Sequence, residues 1–173
     1  MIKIRRESAE VFYPDDDVII IASADLQELK RQALLNPRRR IRLCAHHSSN
    51  DRVHEMFIVH TSDCYVRPHK HLGRAESMAI LEGEVDVVLF HEDGSVRQVC
   101  QMGAPDSGRV FYQRLSEPIY HTLIIRTEFL VFHESTEGPF QRENTVFPDW
   151  APAEQGAASK EFIDHIEFLI SKK

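Results

Sequence analysis

The chain carries ten histidines, and two of them, His69 and His71, stand two residues apart in Arg67-Pro-His-Lys-His71. On a strand that spacing sends both imidazoles to one face. Glu76 follows beyond a turn at Gly73 and can bring a carboxylate back to the same side. Imidazole nitrogens joined by one carboxylate suit a divalent transition metal. A His-x-His pair alone arises by chance in about half of such chains. Requiring also Glu76 and Gly83 at their fixed distances lowers the figure to roughly two in a thousand. An open metal site of this kind polarises a carbonyl or hydroxyl, acidifies bound water, or binds dioxygen when the metal is Fe(II). Ligand types leave Fe, Mn, Ni, Co and Zn all open.

Strand parity places Tyr65 and Arg67 on the face of the histidine pair, as candidate substrate contacts. Arg67 offers a forked contact to a carboxylate or phosphate, so the expected ligand is a small anionic molecule. The remaining histidines read more plainly. His46, His47 and His54 read as loop residues, and His91 as solvent-facing beside a turn. His133 and Glu134 lie near the end of a late strand, as candidate neighbours of the ligands. Cys44, Cys64 and Cys100 are odd in number and far apart, so they read as structural thiols, neither a disulfide framework nor a zinc pair. No Ser-His-Asp order, phosphate loop or Gly-x-Gly-x-x-Gly fingerprint is present, and catalytic residues stay unassigned.

The elements that must position these groups are mostly strands. From Ile41 to about Glu134, short runs of Val, Ile, Phe, Thr and Tyr alternate with turn residues. The pattern predicts strands at 41–45, 53–60, 63–69, 76–82, 84–91, 95–102, 109–115, 118–125 and 128–134. A hairpin turns at Asp93-Gly94, a pair suited to positive φ. Strands in such series indicate an all-β sandwich or barrel. Before it, the run Val18 to Ala22 precedes a helix that has Leu26, Leu29, Ala33 and Leu34 at helical spacing. Ser23 or Asp25 is a candidate cap, and Pro37 ends the pattern. After it, prolines punctuate an irregular stretch. Phe162, Ile163, Ile166, Leu169 and Ile170 then form an amphipathic helical stripe, with Ser159 as candidate cap. The expected organisation is one structural domain: an N-terminal strand and helix over 1–40, a barrel over 41–140, and an extension over 141–173.

Composition narrows the function class. With 173 residues, 42% of them hydrophobic and a net charge of −6, the chain suits one globular domain. The acidic balance argues against nucleic acid as partner, and the Arg38-Arg39-Arg40 run reads as cations at a helix C-terminus. No apolar run is long enough to span a membrane, and Met1 to Glu10 lacks a signal-peptide core. The plain reading is a soluble protein of a reducing, cytoplasmic compartment.

The arrangement His69-x-His71-x4-Glu76-x6-Gly83 resembles the first motif of the cupin superfamily, and Pro118-Ile-Tyr-His121 resembles the end of its second. Asp63 and Ile125 stand where those motifs usually have a glycine and an asparagine. A narrower resemblance extends over roughly residues 41–152. It rests on Arg67-Pro-His-Lys-His71, the Glu76–Gly83 block, Phe90-x3-Gly94, His121-Thr122, Glu134-x3-Gly138-Pro139-Phe140 and Asp149-Trp150-Ala151-Pro152. These look like the WbuC family of cupin-fold metalloproteins. The resemblance implies a small cupin barrel (a double-stranded β-helix, or jelly roll) with an N-terminal and a C-terminal helix. It implies a divalent metal on His69, His71, Glu76 and His121, with His121 preferred over His133. It also implies a pathway setting in bacterial O-antigen and cell-surface polysaccharide synthesis. Three function classes follow: a metal enzyme such as an isomerase acting on a sugar or nucleotide-sugar, an Fe(II) dioxygenase on another small molecule, or a non-catalytic metal- or ligand-binding module. A homodimer is expected, because the terminal segments offer apolar surface and two-fold dimers are the commonest oligomers.

Overall fold

The computed structural model describes residues 2–153 and 155–172; Met1, Glu154 and Lys173, which fall in the terminal segments named above, lie outside the described residues. The chain begins with β1 (Ile4–Arg6) and β2 (Val11–Pro14), an antiparallel pair the sequence pattern does not reveal. The β-branched run that follows is not a strand. No neighbouring strand offers it hydrogen bonds, and Val18 and Ile20 stand exposed. Helix α1 (Ser23–Leu35) starts at Ala22, whose N–H is capped by the Asp25 carboxylate three residues on (2.9 Å). It ends at Asn36, whose side-chain amide donates to the Ala9 carbonyl (2.9 Å).

Strands β3 (Arg40–Cys44), β4 (Val53–Thr61), β5 (Lys70–His71), β6 (Glu76–Glu82), β7 (Glu84–Phe90), β8 (Val96–Gly103), β9 (Tyr112–Leu115), β10 (Tyr120–Ile125), β11 (Phe129–Glu137) and β12 (Thr145–Val146) follow. Helix α2 (Ala157–Ile170) comes last among the described elements. Seven strands form a sheet in the order β1-β2-β3-β4-β11-β6-β9; β10-β7-β8 form a second sheet, and β12-β5 a ribbon. The ribbon is tied to the second sheet where His69 and His121 exchange backbone hydrogen bonds (3.1 and 2.9 Å).

Three apolar layers hold this sandwich. Met56, Ile58, Ile80, Val85, Val87, Leu123 and Phe132 pack between the two sheets. Leu29 and Ala33 of α1 cover the outer face of the large sheet against Ile41, Val59 and Val131. Ile166 and Phe162 of α2, with Trp150, cover the outer face of the small sheet against Val88, Phe90 and Ile124. The stripe on α2 is thus met by its own barrel. Its cap is Gly156, with Ser159 at the third helical position and its hydroxyl accepting the Gly156 N–H (2.9 Å).

Two turns show why particular residues stand at them. Gly94 has φ +86°, as the Asp93-Gly94 hairpin requires. Gly83, at φ +86°, leaves 2.2 Å between the place of a side-chain carbon and the Phe129 carbonyl oxygen, so only glycine joins β6 to β7 there.

Candidate metal centre

On the large sheet, alternate residues point between the sheets. Register pairs Arg42 with Ile58, Ile58 with Phe132, Glu134 with Met78, and Thr136 with Glu76. These side chains floor a cavity of about 300 Å³. His121 and Leu123 of β10 reach in from the opposite sheet, and His69 and His71 from the connection into β5. The backbone pairing of residue 69 with residue 121 sets two of these rings side by side, with centroids 4.5 Å apart.

The ring nitrogens of His69, His71 and His121 lie within 4.8 Å of one another. Glu76 completes the group. One carboxylate oxygen is 2.9 Å from His121 Nε2 and the other 3.2 Å from His71 Nε2. The far sides of the rings are pinned. His69 Nδ1 faces the Arg67 carbonyl at 2.8 Å and His121 Nδ1 the Ile119 carbonyl at 3.0 Å. A carbonyl can only accept, so Nδ1 carries the hydrogen in both rings and, in the neutral tautomer, leaves the Nε2 lone pair facing inwards. His71 Nδ1 meets the Thr145 hydroxyl (3.2 Å) and an Arg74 N–H (3.1 Å).

The electrostatics point the same way. Desolvation of its ring, with His121 and His71 alongside, holds half-buried His69 down to about 3, a neutral ring. Burial would lower His121 too, but the adjacent Glu76 charge and hydrogen bond raise it instead. Both nitrogens of His121 face oxygen acceptors, so without metal the ring holds two protons. That second proton occupies the position where a bound cation would sit. Burial disfavours the Glu76 anion, but His121 outweighs it and keeps the carboxyl well below its usual value. Three imidazoles whose Nδ1 sides are held from behind, gathered with one ionised carboxylate, therefore fit the donor set of a divalent metal.

Other residues singled out in the sequence lie elsewhere. His133 sits on β11 with the parity opposite to Glu134, against Phe57 and 3.9 Å from Glu55, outside the cavity. Glu134 faces into it, and burial together with Glu76 pushes its carboxyl up. Residues 63–69 do not form the expected strand, because Pro68 lacks an N–H and the segment finds only the single pairing at His69. Parity therefore fails for Tyr65, whose hydroxyl donates to the Pro152 carbonyl (2.8 Å) and which does not line the cavity. Arg67 does line it. His54 is not a loop residue: it lies in β4, buried and stacked on His46 with centroids 4.2 Å apart, whereas His47 and His91 are exposed. Burial raises Cys64 to about 12 and Cys44 to about 11, which suits inert thiols. The arginine run is also accounted for: Arg38 and Arg40 pair with Glu10, and Arg39 with Asp63. The sequence pattern did not single out His60, Arg42 or Arg74. Alternation along β3 and β4, which aligns Arg40 with Arg42 and His54 with His60, was the signal that could have found the first two.

Comparison with known proteins supports the architecture. Protein SO0799 of Shewanella oneidensis superposes with a TM-score of 0.51 at 8% identity, over 61% of this chain and 72% of that one. The fold is a small cupin jelly roll. Weaker likenesses include the oxalate decarboxylase of Bacillus subtilis, a protein with Mn(II) centres (TM-score 0.45, 16% identity, 56% of this chain and 24% of that one). Another is the capsular polysaccharide assembling protein CapF of Staphylococcus aureus (0.46, 12%, 57% and 27%). This chain spans only about a quarter of the length of those two. A family model described as a domain of unknown function (DUF6016) matches residues 21–102, which include His69, His71 and Glu76. No curated protein matches the sequence. No described helix is long and apolar enough to cross a membrane.

Proposed function

We propose that this cupin barrel binds one divalent transition metal through His69, His71, Glu76 and His121. We further propose that it uses the metal on a sugar or nucleotide-sugar of bacterial cell-surface polysaccharide synthesis. The observation that carries the metal reading is the pair of pinned rings. His69 and His121 each spend Nδ1 on a backbone carbonyl, and His121 and His71 each aim Nε2 at Glu76. The pathway setting rests on the resemblance to the WbuC family. A metal bound there supplies Lewis acidity toward a carbonyl or hydroxyl oxygen. The protein's own part is to fix the donors, with Thr145 holding the Nδ1 side of His71, and to exclude bulk water with the apolar wall of Ile58, Leu123 and Phe132. Glu134 faces the same space with its carboxyl biased toward the protonated form, in place to hand a proton to a ligand oxygen.

The experiment is elemental analysis of protein purified without a histidine tag or chelator, followed by a screen of sugars and nucleotide-sugars. Near-stoichiometric metal that disappears in the His69→Ala/His71→Ala double variant supports the site. Full metal retention by that variant removes it. Consumption of dioxygen by the Fe(II)-loaded protein would instead favour a dioxygenase. Metal binding without turnover of any screened compound would favour a binding module.

A further inference from the structure

The cavity that holds the histidines is also lined by six arginines: Arg38, Arg40, Arg42, Arg67, Arg74 and Arg142. Among the described residues three carboxylates face them, Glu10, Glu76 and Glu134. Glu10 is taken by Arg38 and Arg40 (3.2 and 2.8 Å), and Glu76 by two histidines. Glu134 makes no ion pair among the described residues, so at most one carboxylate remains to face four guanidiniums. Arg42, Arg67, Arg74 and Arg142 are left without a carboxylate partner among the described residues. Four guanidiniums on one small cavity are an unbalanced charge. Arg142 is exposed, but Arg42, Arg67 and Arg74 are half-buried, and a cation withdrawn from water is costly unless an anion meets it.

Two of the four are built for a particular geometry. Arg67 lies over the Phe147 ring at 4.8 Å, and Arg74 over the Phe140 ring at 5.5 Å. Stacking fixes the plane of each fork. The Nε of each is buried and has no acceptor among the described residues. The rest of each fork is only partly used: Arg67 donates to the Pro148 carbonyl (3.1 Å), and Arg74 to His71 and Thr145. Each guanidinium thus keeps donors in reserve beside the histidine cluster.

We propose that Arg67 and Arg74, stacked on Phe147 and Phe140, grip a phosphoryl group of a small ligand whose other end reaches the histidine cluster. A phosphoryl group carries about −1.5 to −2 charge at pH 7 and three acceptor oxygens, enough for two forks, whereas one carboxylate serves one. The cavity volume of about 300 Å³ stands at the lower end of small-molecule sites. That size fits a sugar phosphate better than a nucleotide-sugar. The proposal narrows the substrate class of the function given above and rests on that reading only for what happens at the ligand's other end.

The test is calorimetric titration with inorganic phosphate and with glucose 6-phosphate, using glucose and malonate as controls. Wild-type protein should bind both phosphates saturably and neither control comparably. Arg67→Met and Arg74→Met should each weaken phosphate binding about tenfold or more. Arg67→Lys and Arg74→Lys, which keep the charge and lose the fork, should fall between Met and wild type; circular dichroism establishes that all four variants fold. The His69→Ala/His71→Ala double variant separates the two readings. Phosphate affinity there reports on the arginine wall, and metal content on the metal site. Phosphate binding that survives in it supports the proposal. Absence of saturable phosphate binding by wild type, wild-type phosphate affinity in both Met variants, or tighter binding of malonate would each overturn it. So would phosphate binding that vanishes with the histidines while both Met variants keep it, which would place the anion on the metal and leave the metal reading standing.

Discussion

Two histidine groups lie in this barrel, and they differ in every respect that matters to a metal. His69, His71 and His121 point their Nε2 atoms at or near one carboxylate, with Nδ1 atoms held from behind. His46 and His54 instead stack nearly parallel, 4.2 Å apart and 8° from coplanar. His46 spends Nδ1 on the backbone of Glu55, and His54 Nε2 is buried without a partner. Burial lowers both of their pKa values, so both rings are neutral, whereas Glu76 raises that of His121. Proximity of imidazoles is therefore not enough. A carboxylate in front and carbonyls behind turn a histidine cluster into a ligand set.

The largest test of that contrast compares two double variants. His69→Ala/His71→Ala should lose nearly all bound metal, measured by elemental analysis, while His46→Ala/His54→Ala should keep it. The second pair should instead lose a few kcal/mol of stability in urea unfolding, because it empties packed space. Equal metal loss in both would erase the distinction.

A narrower cut compares His121→Gln with His133→Ala. The first removes a ring nitrogen from the cluster and should weaken metal affinity more than about 100-fold. The second alters a ring outside the cavity and should leave affinity unchanged. Competition with a chelating dye reads both, and the opposite order would move the site to β11.

The charge states of these rings also give opposite pH limbs. His60, buried beside Phe132, is lowered to about 3 by burial and by Arg40 and Arg42. The unfolded chain takes up that proton first, so stability is full above about pH 6.5 and falls as pH drops toward 3, by about 2 kcal/mol at pH 5. His121 in chelator-treated protein runs the other way. Its folded value is raised, so its contribution is present below about pH 6.5 and is lost as pH rises through that raised value. Urea midpoints from pH 4 to 9 for wild type, His60→Leu and His121→Gln should separate the two limbs. A His60→Leu variant with the wild-type acid slope would contradict the assignment.

The smallest expected effect is at Thr145. Thr145→Val removes the hydroxyl behind His71 Nδ1 and should weaken metal affinity about tenfold without unfolding the barrel. Unchanged affinity would mean that Arg74 alone orients that ring.

The sequence made the centre of this molecule readable and its margins obscure, for physical reasons. Alternation and the Asp93-Gly94 turn placed β7 and β8 within a residue of their observed ends, because those strands have one face packed between the sheets. The His69, His71 and Glu76 spacing is local, so it was visible. His121 lies fifty residues on and was found through its Pro118-x2-His context. Tyr65 was misplaced because parity holds only where a strand is paired, and residues 65–68 are not. β1 and β2 carry no readable period because Ile4-Arg-Arg6 is short and polar, and Val11–Pro14, though apolar, is only four residues long and ends in proline. The arginine wall gathers residues from β3 and just before it, the loop before β5, the turn between β5 and β6, and the stretch after β11, a convergence that linear spacing does not encode.

Phe140, Thr145 and Phe147 all come from the stretch between β11 and α2, outside the main sheets. His69, His71, Glu76 and His121, by contrast, come from β5, β6, β10 and the residue leading into β5. The chain thus braces its metal-facing groups from behind with a segment that comes after the barrel strands. Thr145 pairs with His71 across the ribbon and the Phe147 ring lies 6.0 Å from that of His69, so any change in this stretch reaches both what the cavity accepts and how two of the rings are held.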